Sequence, residues 1–552
     1  MADRPLVPAA LVRGARGAVV APHHLATQAG LAILEAGGHA VDAAIATNAV
    51  LAVVMPNACG IGGDAFWLIW SEPDGRVDAL NGSGRSAATA SADVLRAQGL
   101  ERLPLRGPLS ITVPGAVRSW ADAHERFGRL SLDVVLTPAI ELAAGGFPAW
   151  DGFIEAVERS TPLAGPAGCD DGFEQIYRPN GRRWRPGERV RLPALAGTLR
   201  RLSTVGLGDL YDGELAERQA GALEAAGSAI RLDDLRAHTS TWGEPISTDY
   251  RGTRVLTHGP NSSGIVALQL LSILRELDPP PAERFGPHGV EDAGWIHVGI
   301  EAAKLAMADR DRFLCDPEHT AVPVERLLDE AYGRELAARI DRRRAAPAPP
   351  ATVPRGGGTI YLGVVDAEGN AVSLIESNYS GFGSLVADPT TGIHYQNRGS
   401  FFSLAPGAAN ELAPRKRPLH TLMPALLMRG GRPWIVTGSM GGDAQPQVHA
   451  QVVSALVDGG VDVATAVAAP RWFVEPARHF APPIDVRAEP RFAPGVLDAL
   501  RALGHPVTET APFDSRLGHA HAIELLEGGP ASVDGSLVAA TDPRSAGLPA
   551  VR

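Results

Sequence analysis

The stretch "VPRGGGTIYLGVVDAEGNAVSLIES", Val353–Ser377, decides the fold. Its second part reads as a β-hairpin: "TIYLGVVD", a turn at "AEGN", then "AVSLIES". Runs rich in β-branched and aromatic residues around a short Gly-containing turn pair in this way. Its first part is less ordinary. Gly356, Gly357 and Gly358 clear every side chain from the backbone just before Thr359 opens the strand.

Chemistry gives those glycines a purpose. A threonine hydroxyl is a poor nucleophile unless a base takes its proton. The threonine's own α-amine can serve, with a pKa of about 7.7–8.0, once the preceding peptide bond is cut. The same hydroxyl can make the cut. It attacks the carbonyl of residue 358, the acyl group passes from N to O, and water releases the ester. That step needs an unencumbered carbonyl and a backbone free to distort, and a glycine run supplies both. The sequence therefore predicts self-cleavage between Gly358 and Thr359, leaving Thr359 as an N-terminal nucleophile. A flexible linker before a strand explains the string Gly-Gly-Gly-Thr as well, so the rest of the chain must decide.

Upstream, "RIDRRRAAPAPPATVPRGGG" is rich in Pro, Ala, Gly and Arg and is expected to be extended, exposed and mobile. Downstream, "PALLM", "RGGR" and "PWIVTGS" form a second hairpin, "QPQVHAQVVSALVDGG" an amphipathic helix, and "GHAHAIELL" and "ASVDGSLVAATDPR" further strands. Near the start, "ATQAGLAILEAGGHAVDAAIATNAVLAVVMP" reads as two helices broken at Gly37-Gly38 and ended by Pro56. A strand, Ala65 to Trp70, then pairs with "GRVDALNGSGR". Residues from about 115 to 340 read as mostly helical. Helices first, antiparallel strands later, point to an α+β fold with buried antiparallel sheets flanked by helices.

Composition narrows the function. The 552 residues are 45% hydrophobic and 20% charged, as in an ordinary globular chain, and the pattern suggests one compact unit. A net charge of −11 disfavours a nucleic-acid partner, since phosphate binding needs a basic surface. Cys59, Cys169 and Cys315 are far apart and odd in number, which argues against a disulfide framework or a structural zinc site. "MADRPLVPAALVRGARG" lacks a continuous apolar core for a signal peptide, and "AAIATNAVLAVV" is too short to span a bilayer. A soluble cytoplasmic protein is the expectation. "GIGGDAF" is not a dinucleotide-binding GxGxxG. His23-His24 and His519-Ala520-His521 raise a metal-dependent amidohydrolase as a rival. Adjacent histidines are expected to point apart, however, and the second pair sits on a strand without suitably spaced carboxylates.

Several blocks occur in order: "TIYLGVVDAEGNAVSLIESNYSGFGS", "GIHYQNRGSFFSL", "RKRPLHTLMPALLM", "WIVTGSMGGDAQPQ" and the early helical segment. Together they resemble the γ-glutamyltransferase family of N-terminal nucleophile (Ntn) hydrolases over most of the chain. The resemblance implies a four-layer αββα sandwich with two stacked antiparallel sheets. It implies cleavage into a large subunit, 1–358, and a small one, 359–552, that interleave as one heterodimeric unit, with no cofactor. Further dimerisation is left open. By position, Thr359 matches the nucleophile, Ser377 a threonine bonded to it, and Gly441 and Gly442 the oxyanion-hole pair. His420 and Thr421 stand where a serine pair contacts the substrate carboxylate. An intact set of this kind speaks against a non-catalytic binding module on the same fold.

The departures concern the donor. The family aspartate that takes a glutamyl ammonium aligns with Phe401, a neighbouring glutamine with Arg398, and an asparagine with Tyr379. The carboxylate-gripping arginine falls at Ser83, with Arg85 two residues on. Phe401 offers an ammonium nothing, and Arg398 would repel it while suiting a carboxylate. The site is expected to take a dicarboxylic-acid monoamide without the α-amino group, as in the branch containing glutaryl-cephalosporin acylases and oxamate amidohydrolases. An ordinary γ-glutamyltransferase acting on glutathione is the alternative. Ser403–Pro418 is short where lidded members carry an insertion, which favours hydrolysis.

Overall fold

The computed structural model describes residues 9–165, 170–346, 358–474 and 485–552. Gly356, Gly357, Cys169 and most of the Pro/Ala segment lie outside these.

Fourteen strands form two seven-stranded antiparallel sheets. In chain order they are β1 (Leu11–Gly14), β2 (Ala18–Val20), β3 (Asp64–Ser71), β4 (Arg76–Gly82), β5 (Thr241–Gly243), β6 (Ile246–Tyr250) and β7 (Thr253–Thr257). They continue with β8 (Gly358–Val365), β9 (Ala371–Tyr379), β10 (Ala425–Arg429), β11 (Arg432–Met440), β12 (His519–Leu526), β13 (Ser536–Thr541) and β14 (Ala550–Val551). One sheet runs β14-β2-β8-β9-β3-β4-β5 and the other β1-β13-β12-β11-β10-β7-β6. Each hairpin expected from the sequence is present as a pair of neighbours. The short strands β5 to β7 interrupt the stretch read as mostly helical. They are three to five residues long and lie at one end of each sheet, where alternation is brief and the signal weak.

The sheets stack face to face. Val20, Leu68 and Trp70 of one meet Leu426, Val436 and Ile523 of the other in a common apolar layer. The outer face of the first sheet is covered by α1 (His24–Glu35), α2 (Ala40–Val54) and α3 (Leu132–Gly145). Every residue of α2 is buried, so it reads as apolar all round. The outer face of the second sheet carries α4 (Gly264–Arg275), α5 (Ala293–Phe313) and α6 (Gln445–Val457). The result is helix, sheet, sheet, helix. Among the described residues, no helix is long and apolar enough to cross a membrane.

Two local expectations change. The start of the Pro/Ala segment is tied down: Asp341 O meets His297 Nε2 at 2.8 Å, and Lys304 Nζ donates to Ala346 O at 2.8 Å. The rings of His23 and His24 do not point apart but stack, with centroids 4.6 Å apart. His23 serves as the N-cap of α1, its Nδ1 accepting from Leu25 N. Cys59 and Cys315 are buried free thiols.

Candidate active site

Thr359 lies at an irregularity in the β8–β9 pairing. Gly358 faces Tyr379 and Ile360 faces Glu376, so Thr359 alone is opposed by two residues, Ser377 and Asn378. Such a bulge re-aims side chains next to functional groups. Here it turns Ser377 back on the start of β8. Its Oγ lies 3.0 Å from Thr359 Oγ1, which donates to it, and donates in turn to the Gly358 carbonyl at 2.5 Å. The Tyr379 amide donates to the same oxygen at 2.7 Å. Gly358 is required by space as well as chemistry, since a Cβ there would stand 2.8 Å from Asn57 O. Thr359 is only 2% exposed.

Arg398 completes the cluster. It is fully buried, its Nη2 3.2 Å from Ser377 Oγ and its Nη1 3.0 Å from Thr421 Oγ1. Its guanidinium stacks between the rings of Tyr379 and Phe401, at 4.6 and 5.0 Å. Among the described residues no carboxylate pairs with it, and Nε has no partner. Burial lowers its pKa to about 10, against the opposing pull of Asp64, Tyr379 and Asp443. Arg398 and Phe401 were expected on a strand. They lie instead on a 3₁₀ turn, Arg398–Phe401, and only Ile393–His394 of "GIHYQN" pairs as strand. In a 3₁₀ turn residues three apart eclipse, which brings Phe401 over the guanidinium.

His420 Nε2 meets Asp64 Oδ2 at 3.2 Å, while its Nδ1 accepts from Leu422 N. Burial and the nearby Arg398 hold His420 well below the ordinary histidine range, so it is neutral. Asp64, which sequence reading passed over, faces Ser377 across the β3–β9 pair and therefore shares its side of the sheet. It accepts from the amides of Gly84 at 2.9 Å and Gly115 at 3.2 Å. Burial raises its pKa to about 7, opposed by Arg398 and those amides. A lone carboxylate opening the apolar run "DAFWLIW" was the available signal. On the opposite face Glu376 accepts from Gly60 N and Asn48 Nδ2, and burial pushes its pKa to about 8.

Gly441 and Gly442 form the turn after β11, with φ of +141° and +58°. Both conformations favour glycine. Their amides donate to no group among the described residues. Arg85 is not brought into the cluster: it forks onto Glu318 at 2.9 and 3.1 Å and donates to Thr239 O. The neighbouring Ser83 hydroxyl bonds Asn81. The loop after Phe401 is compact, with Asn410 donating to Phe401 O at 2.8 Å. His297, Glu301 and His505 are the one converging His/Glu group among the described residues. Their atoms are engaged with each other and with Lys304 rather than with the Thr359 cluster.

A buried hydroxyl pair, a polarised carbonyl and two free glycine amides are the parts of an acyl-transfer site. Known proteins agree. The chain matches the family model described as Gamma-glutamyltranspeptidase over residues 26–551. It is 40% identical to the glutathione hydrolase-like YwrD proenzyme of Bacillus subtilis, covering 97% of this chain and 98% of that protein. It is 39% identical to the oxamate amidohydrolase proenzyme of Klebsiella pneumoniae, with the same coverage. The cephalosporin acylase from Bacillus halodurans superposes with a TM-score of 0.90 at 35% identity, covering 100% and 99% of the two chains. The chain belongs to the gamma-glutamyltranspeptidase family and is an enzyme of the Ntn-hydrolase type.

Proposed function

We propose that the chain cuts itself between Gly358 and Thr359 and then hydrolyses, through a Thr359 ester, the monoamide of a dicarboxylic acid lacking an α-amino group. Ser377 supports the first step, because its hydroxyl already polarises the Gly358 carbonyl that Thr359 Oγ1 must attack. The C–N bond to Thr359 breaks, the acyl group rests on Oγ1, and water releases the Gly358 carboxylate and a free Thr359 amine. That amine then takes the hydroxyl proton for attack on the donor amide, with the Gly441 and Gly442 amides facing the oxyanion. The leaving amine departs with a proton, and a second water hydrolyses the ester. The relatives named as proenzymes fit this order.

One observation carries the donor reading: Arg398 is a buried cation with two hydroxyl contacts and no carboxylate partner. Such a charge is costly unless an anion arrives to pair with it. A second reading, hydrolysis of γ-glutamyl donors, draws on Asp443, whose charge is felt at Arg398 and Tyr379 and could answer an ammonium.

The test has two arms. Intact mass should show two associated chains from the wild type and one from Thr359→Ala. Wild-type kcat/KM should favour glutaryl-anilide and oxamate over γ-glutamyl-anilide, and Phe401→Asp should move the preference toward the latter. A wild type that stays whole and active refutes the mechanism. Preference for the γ-glutamyl donor refutes the donor class.

A further inference from the structure

The oxyanion turn is held from behind by a charge that no motif announces. Arg310, on α5, is 2% exposed, yet it comes from the outer helical layer of the second sheet. Its Nη1 reaches Asp443 Oδ1 at 2.5 Å, and its Nε donates to Asp311 Oδ1 at 2.9 Å. Asp443 directly follows Gly442. Its own carbonyl accepts from Gln447 Nε2 at 3.2 Å, so both its side chain and its backbone are fixed. Gly441 and Gly442 have no side chains to orient them, and their amides donate to no described group. The direction of those N–H groups is therefore set at Asp443. The turn faces the reacting pocket, since the Asp443 charge is felt at Tyr379 and Arg398.

We propose that Arg310 is a positioning residue for acyl transfer: through Asp443 it aims the Gly441 and Gly442 amides at the developing oxyanion. The proposal rests on the acyl-transfer reading above. Oxyanion donors act by direction fixed in advance, and a misplacement of about 1 Å can cost about 100-fold. Self-cleavage is spared, because the Gly358 carbonyl is held by Ser377 and not by this turn.

The experiment compares Arg310→Gln, Arg310→Lys, Asp443→Asn and the Arg310→Gln/Asp443→Asn double variant in the full chain. Each should still process to two chains at the wild-type rate, which also reports folding. On glutaryl-anilide, Arg310→Gln and Asp443→Asn should lose about 10- to 100-fold in kcat, with KM within about twofold. The double variant should be no worse than the poorer single one, as expected for residues acting through one another. Arg310→Lys, which keeps a donor, should recover part of the loss. Three outcomes overturn the proposal: kcat near wild type in Arg310→Gln, multiplied losses in the double variant, or cleavage slowed as much as turnover. A Thr359→Ala chain that still turns over would remove the underlying reading and this one with it.

Discussion

Two sets of buried arginines treat charge in opposite ways. Arg544 pairs with Glu489 at 2.7 Å and Asp542 at 3.0 Å, and Arg471 pairs with Asp542 at 2.6 Å. These cations also donate to the carbonyls of Val467, Ala469 and Gly518. Arg398 touches two hydroxyls and two rings and no carboxylate. The acids respond accordingly. Asp542 is held below the ordinary carboxylate range by Arg471 and Arg544 despite its burial, whereas burial raises Asp64 and Glu376. A saturated cluster staples the fold. An unsaturated one keeps capacity for a ligand.

The contrast breaks most sharply at Arg544. Arg544→Met strands two buried carboxylates and should cost about 3–5 kcal/mol in denaturant unfolding. Activity per folded molecule should hold. Arg398→Met should do the reverse, leaving the unfolding midpoint near wild type while kcat/KM for a monoanionic donor falls about 100-fold. That loss corresponds to charge-assisted bonds worth about 1.5–3 kcal/mol each. If Arg398→Met unfolds as readily as Arg544→Met, the two sites are of one kind.

The smallest effect is in pH. Glu376 titrates near 4.5 when unfolded and near 8 when folded, so the native state binds the extra proton between those values. Its contribution to stability is present below pH 4.5 and is lost as pH rises through 8. The slope is at most about 1.4 kcal/mol per pH unit for one proton. Asp64 acts in the same sense up to about pH 7. Unfolding of Glu376→Gln at pH 5.5, 7 and 8.5 should show a shallower decline than the wild type. An unchanged slope would assign the decline to other groups.

The hairpins around Thr359 and before Gly441 were legible because their alternation is long and their turns are Gly-containing. The hydroxyl pair Thr359–Ser377 was legible from motif order. The setting of Arg398 was not. "GIHYQNRGSFFSL" alternates like a strand, but Ser400 Oγ donates to Asn397 O at 2.8 Å and Asn397 Nδ2 to Leu105 O, and the chain bends into a 3₁₀ turn. Asp64 and Arg310 escaped for another reason. Each owes its role to a partner remote in sequence, His420 for one and Asp443 for the other.

The extra residue of β9 bears on which length changes the chain can tolerate. A residue added or lost in the Asp366–Asn370 turn is absorbed locally by the hairpin loop. Loss of Asn378 would restore one-to-one pairing opposite Thr359 and shift every position beyond it by one. Tyr379 would then swing off the face that flanks Arg398, and the hydroxyl of Ser377 would lose the kink that returns it to Gly358. Deletion scanning along β9 should therefore show one forbidden position where substitution scanning shows a gradient.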